Sequence, residues 1–211
     1  MFLSEEEKRT IAEEIRKAET TTSGEIVFAV SDSSGRYRSA ALQTALAGMV
    51  AATTLYLLLP TPHTIGMVLW IEIVSFAVFH VLAPGMPWRR LFISRAEMDE
   101  RVQEAAFRQF YSSGLYKTRE SNGILIYLSL FERRVVVLGD EAIHRHMGDA
   151  RWGSVRDKII AGIRSGKACE GICAAIRDCA ETLARHFPPR PDDINELPDQ
   201  VIDRTATAGS S

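Results

Sequence analysis

Carboxylates at loop ends are the residues best suited to chemistry in this 211-residue sequence. Asp140 and Glu141 follow a short β-branched run, and Asp149 comes a little later. Hard cations such as Ca²⁺ or Mg²⁺ take several oxygen ligands, and Asp140, Glu141 and Asp149 could supply three. The competing use of the same residues is helix capping and surface charge. Asp140 with His144 and His146 has the ligand types of a transition-metal site, but His144 and His146 stand two apart on a helix and point to different faces. Ser31-Asp32-Ser33-Ser34-Gly35 has the composition of an anion nest or of a plain flexible loop. Cys169, Cys173 and Cys179 lie in one helical stretch; Cys169 and Cys173 share a face but are poorly spaced for a disulfide, and no neighbouring His or Cys completes a zinc set. They read as core residues. The motifs Asp-x-Asp-x-Thr, Gly-x4-Gly-Lys and Gly-x-Ser-x-Gly do not occur, and no catalytic residue is assigned.

These residues need elements to hold them. Ser4 with Glu7 forms a capping-box pattern before a helix carrying Ile11, Ile15 and Ala18. Glu25–Val30 is a short apolar run that reads as a buried strand. After the central apolar region, Ser94 with Glu97 starts a helix whose apolar face carries Met98, Val102, Ala106 and Phe110, and Gly114 suits a left-handed cap. Gly123–Leu130 reads as a central strand, Phe131-Glu132-Arg133 as a tight reversal, and Arg134–Leu138 as a second strand antiparallel to it. Asp140 can cap a helix Glu141–Met147; Trp152–Ile163 and Ala168–His186 follow as helices. From residue 188 the chain is Pro-containing and acidic, and disorder is expected. A strand, a helical crossover and a second strand make a parallel right-handed unit. The expectation is an α/β three-layer α/β/α sandwich with a small mixed sheet of three strands, interrupted by a two-helix transmembrane hairpin. The divisions fall at 1–39, 40–83, 84–187 and 188–211.

The hairpin is Ala40–Leu59 and Thr64–Ala83, joined by Pro60-Thr61-Pro62-His63. Each half is about 20 residues, the length that crosses about 30 Å of hydrocarbon as a helix. Neither contains Lys, Arg or Asp, and Glu72 is the lone acid. A buried hairpin of a soluble protein normally keeps a polar stripe, which these residues do not form. Arg36, Arg38, Arg89, Arg90 and Arg95 flank the spans and the tip has no basic residue, so both soluble parts and both termini are expected in the cytoplasm, with the protein in the cell's inner membrane. Trp88, beside the Arg pair, sits where an interfacial anchor belongs. MFLSEEEKRT lacks a basic start and apolar run, so insertion is expected to rely on the hairpin. Glu72 and His80 are intramembrane polar residues. A mid-bilayer charge costs about 2.5–3.5 kcal/mol, so Glu72 is expected to be neutral or paired, through Gln43, Thr53 or Thr54, through self-association of hairpins, or with a membrane partner. A proton or ion path is the functional alternative.

Formal net charge is −2, which implies no nucleic-acid partner. Chain order puts the carboxyl end of the first strand, the usual ligand edge of open α/β sheets, at the point where the hairpin begins. Phe131, Arg133 and Arg134 at that edge, with Arg89, Arg90 and Trp88, are the candidate contacts to lipid head groups; an ordinary charged turn is the alternative.

The pattern resembles the TPM domain family. The matching residues are Ser23–Phe28, Phe107–Leu115, Thr118–Ser129, Glu132–Val135, Gly139-Asp140, Trp152 and Gly162–Leu183, and the tail Asn195–Asp199 is similar to a bacterial membrane subgroup. The resemblance implies an α/β/α sandwich, and for some members acid phosphatase activity or binding of calcium or other divalent ions. It also implies a LemA-like membrane protein as a partner. The expected function is a membrane-anchored, cytoplasm-facing TPM-like domain acting as a binding or scaffold module for a membrane or envelope partner, with a divalent-metal-dependent phosphatase as the alternative.

Overall fold

The structure, a computed structural model, describes residues 2–35, 37–60, 62, 64–82, 87–146, 149–190, 197 and 200–205. They form two compact units, Met1–Ser34 with Glu100–Ser211, and Gly35–Asp99.

The first unit is an α/β sandwich on a four-stranded sheet in the order β3-β2-β1-β4. The strands are β1 (Ile26–Ser31), β2 (Ile124–Ser129), β3 (Arg134–Gly139) and β4 (Ile202–Arg204). β1 pairs parallel with β2, in register from Ile26↔Ile124 to Ser31↔Ser129. β2 pairs antiparallel with β3, as the tight Phe131–Arg133 reversal requires. Both β1 and β2 are buried along their whole length, which is why each reads as an apolar run without alternation.

Successive side chains of a strand point to opposite faces. On one face Ile26, Phe28, Ile124, Ile126 and Leu128 pack with Ile11 and Ile15 of α1 (Glu5–Glu19), Ile159 of α6 (Asp149–Arg164) and Ile172, Ile176 and Cys179 of α7 (Ala168–His186). On the other, Val27, Ala29, Leu125 and Tyr127 pack with Val102, Ala106 and Phe110 of α4 (Arg95–Ser112) and with Leu115. Each large core side chain of this kind contributes about 1.5–3 kcal/mol by leaving water. Ser4 caps α1 with both bonds of the capping box in place, and Gly114 takes the left-handed conformation at φ 81°. α6 and α7 cross at glycines: a Cβ on Gly162 would lie 2.7 Å from the Gly171 Cα, so the backbones approach more closely than any side chain would allow.

The tail departs from expectation. Disorder was expected from residue 188, and the sheet was expected to have three strands. Instead, Ile202–Arg204 forms β4, parallel to β1 in the register Ala29↔Ile202 to Ser31↔Arg204. Val201 packs on the first core, and Leu197 and Ile202 on the second. Lys8 binds Asp203 at 2.5 Å and Glu5 at 2.8 Å. Four apolar or paired residues outweigh the acidic, Pro-containing composition around them.

The second unit contains α2 (Arg38–Leu58) and α3 (Ile65–Leu82), a helical hairpin, followed by a 3₁₀ segment Pro87–Phe92. Both helices are long and apolar enough to cross a membrane, with mean hydropathy 1.5 and 2.1. Gly48 faces the Phe79 ring so closely that a Cβ would lie 2.3 Å from it. Small residues on α2 thus let the aromatic ring seat against the helix backbone.

Burial works against ionisation of Asp203, but the Lys8 ammonium and the Thr205 donors outweigh it and hold its carboxyl below the usual range. The pair therefore stabilises the fold at neutral pH, and that contribution fades as pH falls below about 4 through the lower folded value. Asp203→Asn is expected to cost about 1 kcal/mol at neutral pH and to flatten the acid limb, read from chemical unfolding curves collected across pH.

Candidate functional site

At the carboxyl ends of β1 and β2, polar side chains converge on one buried carboxylate. Glu132, in the β2–β3 turn, has no solvent exposure. Its Oε1 accepts from Ser33 Oγ at 3.2 Å and from the Ser34 N–H at 3.0 Å. Its Oε2 accepts from Ser129 Oγ. Ser34 Oγ donates to Ser129 Oγ at 2.8 Å, so the 3.1 Å contact between Ser34 Oγ and the Tyr127 hydroxyl is a donation from Tyr127. Tyr127, Ser34, Ser129 and Glu132 thus form a directed chain ending on the carboxylate, in which each bond polarises the next.

The backbone closes the same knot. The N–H of Leu130 donates to Ser31 at 3.0 Å, that of Phe131 to Asp32 at 2.8 Å, and Arg133 takes φ 54° to turn the chain into β3. The serine loop, which in sequence reads as an anion nest or a plain flexible loop, gives donors to the protein's own Glu132. Asp32 beside it is exposed, and partial burial together with the nearby Asp203 raises its carboxyl above the ordinary value. Phe131 and Arg134 are half-buried and Arg133 is exposed, so Arg133 offers the most accessible cation at this turn. Arg90 is half-buried in the 3₁₀ segment; Trp88 and Arg89 share that segment, with side chains outside the described residues.

The expected cation ligands lie past the end of β3, at the opposite edge of the sheet. Asp140 Oδ1 accepts from the Glu141 N–H at 2.8 Å, opening α5 (Glu141–His146), and Asp140 Oδ2 is buried without a hydrogen-bond partner. Glu141 is exposed. The side chains of Asp149, His144 and His146 lie outside the described residues. Among the described residues no group of three His, Cys, Asp or Glu side chains is placed to hold a metal.

Cys173 and Cys179 are buried, and burial pushes both thiols up to about 12, which leaves them protonated core residues. Ser23 and Asn122, from the resemblance residues, hold the amino edge of the sheet: Asn122 Nδ2 donates to the Ser23 carbonyl at 2.8 Å, and Ser23 Oγ to Glu120 at 2.8 Å.

In the hairpin, Glu72 is half-buried and His80 is exposed, with the His80 ring stacked on Phe76 at 5.8 Å. Of the partners named for Glu72 on α2, Thr54 Oγ1 donates to the Val50 carbonyl of its own helix, and Thr53 Oγ1 is buried without a partner.

Sequence reasoning took Glu132 for part of a charged turn. The signal that could have found it is Ser129-x-x-Glu132 at the end of an apolar strand, a spacing that returns the carboxylate to the hydroxyl. Glu132→Gln removes the charge and places an amide where two acceptors are needed. It is expected to destabilise the domain by about 2 kcal/mol, and Glu132→Ala by about 3 kcal/mol, measured by denaturant unfolding.

Residues 90–182 match the family model described as TPM domain. The fold is similar to the NMR structure of the BA42 protein from the psychrophilic bacterium Bizionia argentinensis, with TM-score 0.60, 23% identity and 96% of each chain covered. No curated protein matches the sequence. The matched span runs from the 3₁₀ segment through α4, β2 and β3 into α7, so this part of the chain is similar to a TPM domain.

Proposed function

We propose that this TPM domain is tethered to the bacterial inner membrane by α2 and α3, faces the cytoplasm, and serves as a binding module for a membrane or envelope partner. The observation that carries the reading is the bare apolar surface of α3. None of its apolar window is buried, and Ile65, Trp70, Ile73 and Val81 are 63–82% exposed. An apolar surface of this extent on a monomer calls for lipid or protein cover. Arg36, Arg38, Arg89, Arg90 and Arg95 lie on the flanks and none at the tip, which supports cytoplasmic termini. Arg133, with Arg134 and Phe131, supports a head-group contact from the domain, each Arg worth about 1 kcal/mol at an anionic leaflet. The binding role rests on a site whose polar groups are spent on each other: the Glu132 knot shapes a surface and presents no free nucleophile. A LemA-like membrane protein is the partner that the family resemblance suggests.

One observation favours a second reading, a divalent-cation-dependent phosphatase. Asp140 Oδ2 is a buried carboxylate oxygen without a donor, as a ligand to Ca²⁺ or Mg²⁺ would be. A single such oxygen is not a cage, and no hydrolytic step is derived from it. A rise in Tm with millimolar Ca²⁺, lost in Asp140→Asn, would favour this reading over the binding module.

The primary reading predicts the result of proteolysis on intact membranes. A tag at either terminus should resist protease in spheroplasts and be cut in inverted vesicles. Cleavage in spheroplasts would reverse the sidedness.

A further inference from the structure

We propose that the 3₁₀ segment Pro87–Phe92 lies in the head-group layer of an acidic bilayer and sinks Leu91 and Phe92 into it as an interfacial wedge. This rests on the membrane reading above and deepens it: a third apolar contact, at the base of the hairpin, sets how deep the hairpin sits.

Leu91 is 84% exposed, more than any other large hydrophobic residue among those described, and Phe92 beside it is also exposed. Outside the hairpin, Leu91 is the one exposed aliphatic side chain of this size among the described residues. The exposure is one-sided. Ile93, next in the chain, is buried, with its N–H on the Arg90 carbonyl at 3.3 Å. Arg90 is half-buried, and the segment packs against α2. A 3₁₀ turn has three residues, so neighbours in it point to different sides. Arg90 can thus face the protein while Leu91 and Phe92 are left outside.

The occupant follows from continuity and charge. Four residues separate Leu82, the end of α3, from Pro87, a reach of at most about 18 Å. Val81 and Leu82 are themselves exposed, so the apolar surface that α3 offers to lipid runs to its last turn and the wedge continues it. The charge around the base matches an acidic leaflet. Arg36, Arg38, Arg89, Arg90 and Arg95 fall within residues 35–39 and 84–96, which contain no Asp or Glu. Apolar side chains set among arginines, with Trp88 three residues before Leu91, are the composition that settles at the bilayer boundary. A protein partner would have to bring an apolar cleft rimmed with acid to the same layer; an acidic lipid surface offers both.

The test uses the full chain with Trp70, Trp88 and Trp152 changed to Phe and Leu91→Trp as the sole tryptophan, reconstituted in phosphatidylglycerol–phosphatidylcholine vesicles. The reporter's emission should shift to the blue of tryptophan in water and resist acrylamide. Bromines high on the acyl chains should quench it more than bromines near their ends. In phosphatidylcholine alone acrylamide access should rise, because each Arg at an acidic surface is worth about fivefold in partition. A second chain keeps Trp88 as the sole tryptophan. There, Leu91→Gln with Phe92→Gln should open Trp88 to acrylamide, and an unchanged Trp88 overturns the wedge role. A reporter open to acrylamide and blind to brominated lipid overturns the proposal, as does one shielded from both, which marks a protein cover. Stronger quenching by the deeper bromines overturns the interfacial depth, and equal acrylamide access with and without phosphatidylglycerol overturns the preference for acidic lipid. A third chain with Trp70 as the sole tryptophan separates the two readings. If Trp70 also ignores brominated lipid, the membrane reading fails and the wedge falls with it. If Trp70 is quenched while the reporter is not, the wedge alone fails.

Discussion

Apolar side chains on the outer face of α3 have nothing of the hairpin's own to pack against, and water is a poor solvent for them. Nine large hydrophobic residues from Ile65 to Leu82 are each more than 45% exposed. At about 1.5–3 kcal/mol for each side chain removed from water, the drive to cover them exceeds the net stability of an ordinary domain, about 5–15 kcal/mol. A soluble hairpin would solve this with a polar stripe. Here the polar residues are scattered, and their hydroxyls turn inward: Thr44, Thr54 and Ser75 donate to carbonyls one turn back on their own helices. Those bonds satisfy the hydroxyls without water, as a segment in hydrocarbon requires.

The first unit is built to close across the insertion. β1 ends at Ser31, the chain runs through the 35–99 unit, and β2 then pairs with β1 in parallel along all six residues of each strand. Parallel strands need a crossover, and α4 supplies the helix that packs on the sheet. Glu132 fastens the place where the two segments meet, because its carboxylate holds Ser33 and Ser34 from one and Ser129 from the other. β4 adds a third contribution, from the tail, on the far side of β1. The sheet thus gathers chain from before the insertion, from after it, and from the C-terminal end.

Much of this was legible because local physics decided it. The capping box at Ser4, the left-handed Gly114, the apolar runs of β1 and β2, and the paired helical stripes of α1 and α7 all follow from side-chain type and spacing. What could not be read depended on distant partners. β4 is three residues long, and its identity comes from Lys8 and from the free edge of β1, neither visible in the sequence near Ile202. Glu132 looked like one more charge in a polar turn, since burial of a turn residue depends on what the serine loop does 98 residues earlier. Asp140 was expected either to cap a helix or to bind a cation; one of its oxygens accepts from the Glu141 N–H at the start of α5, while Asp149 and the two histidines have side chains outside the described residues. Thr54, one of the residues on α2 that could have bonded Glu72, is served by its own backbone instead.

The central claim is that lipid covers the outer face of α3, and Trp70, 69% exposed there, reports on it directly. A full-length chain with Trp88 and Trp152 changed to Phe leaves Trp70 as the sole tryptophan. In vesicles its emission is predicted to be quenched by bromines on the lipid acyl chains and to be untouched by aqueous iodide. Quenching by iodide with no response to brominated lipid would contradict the account.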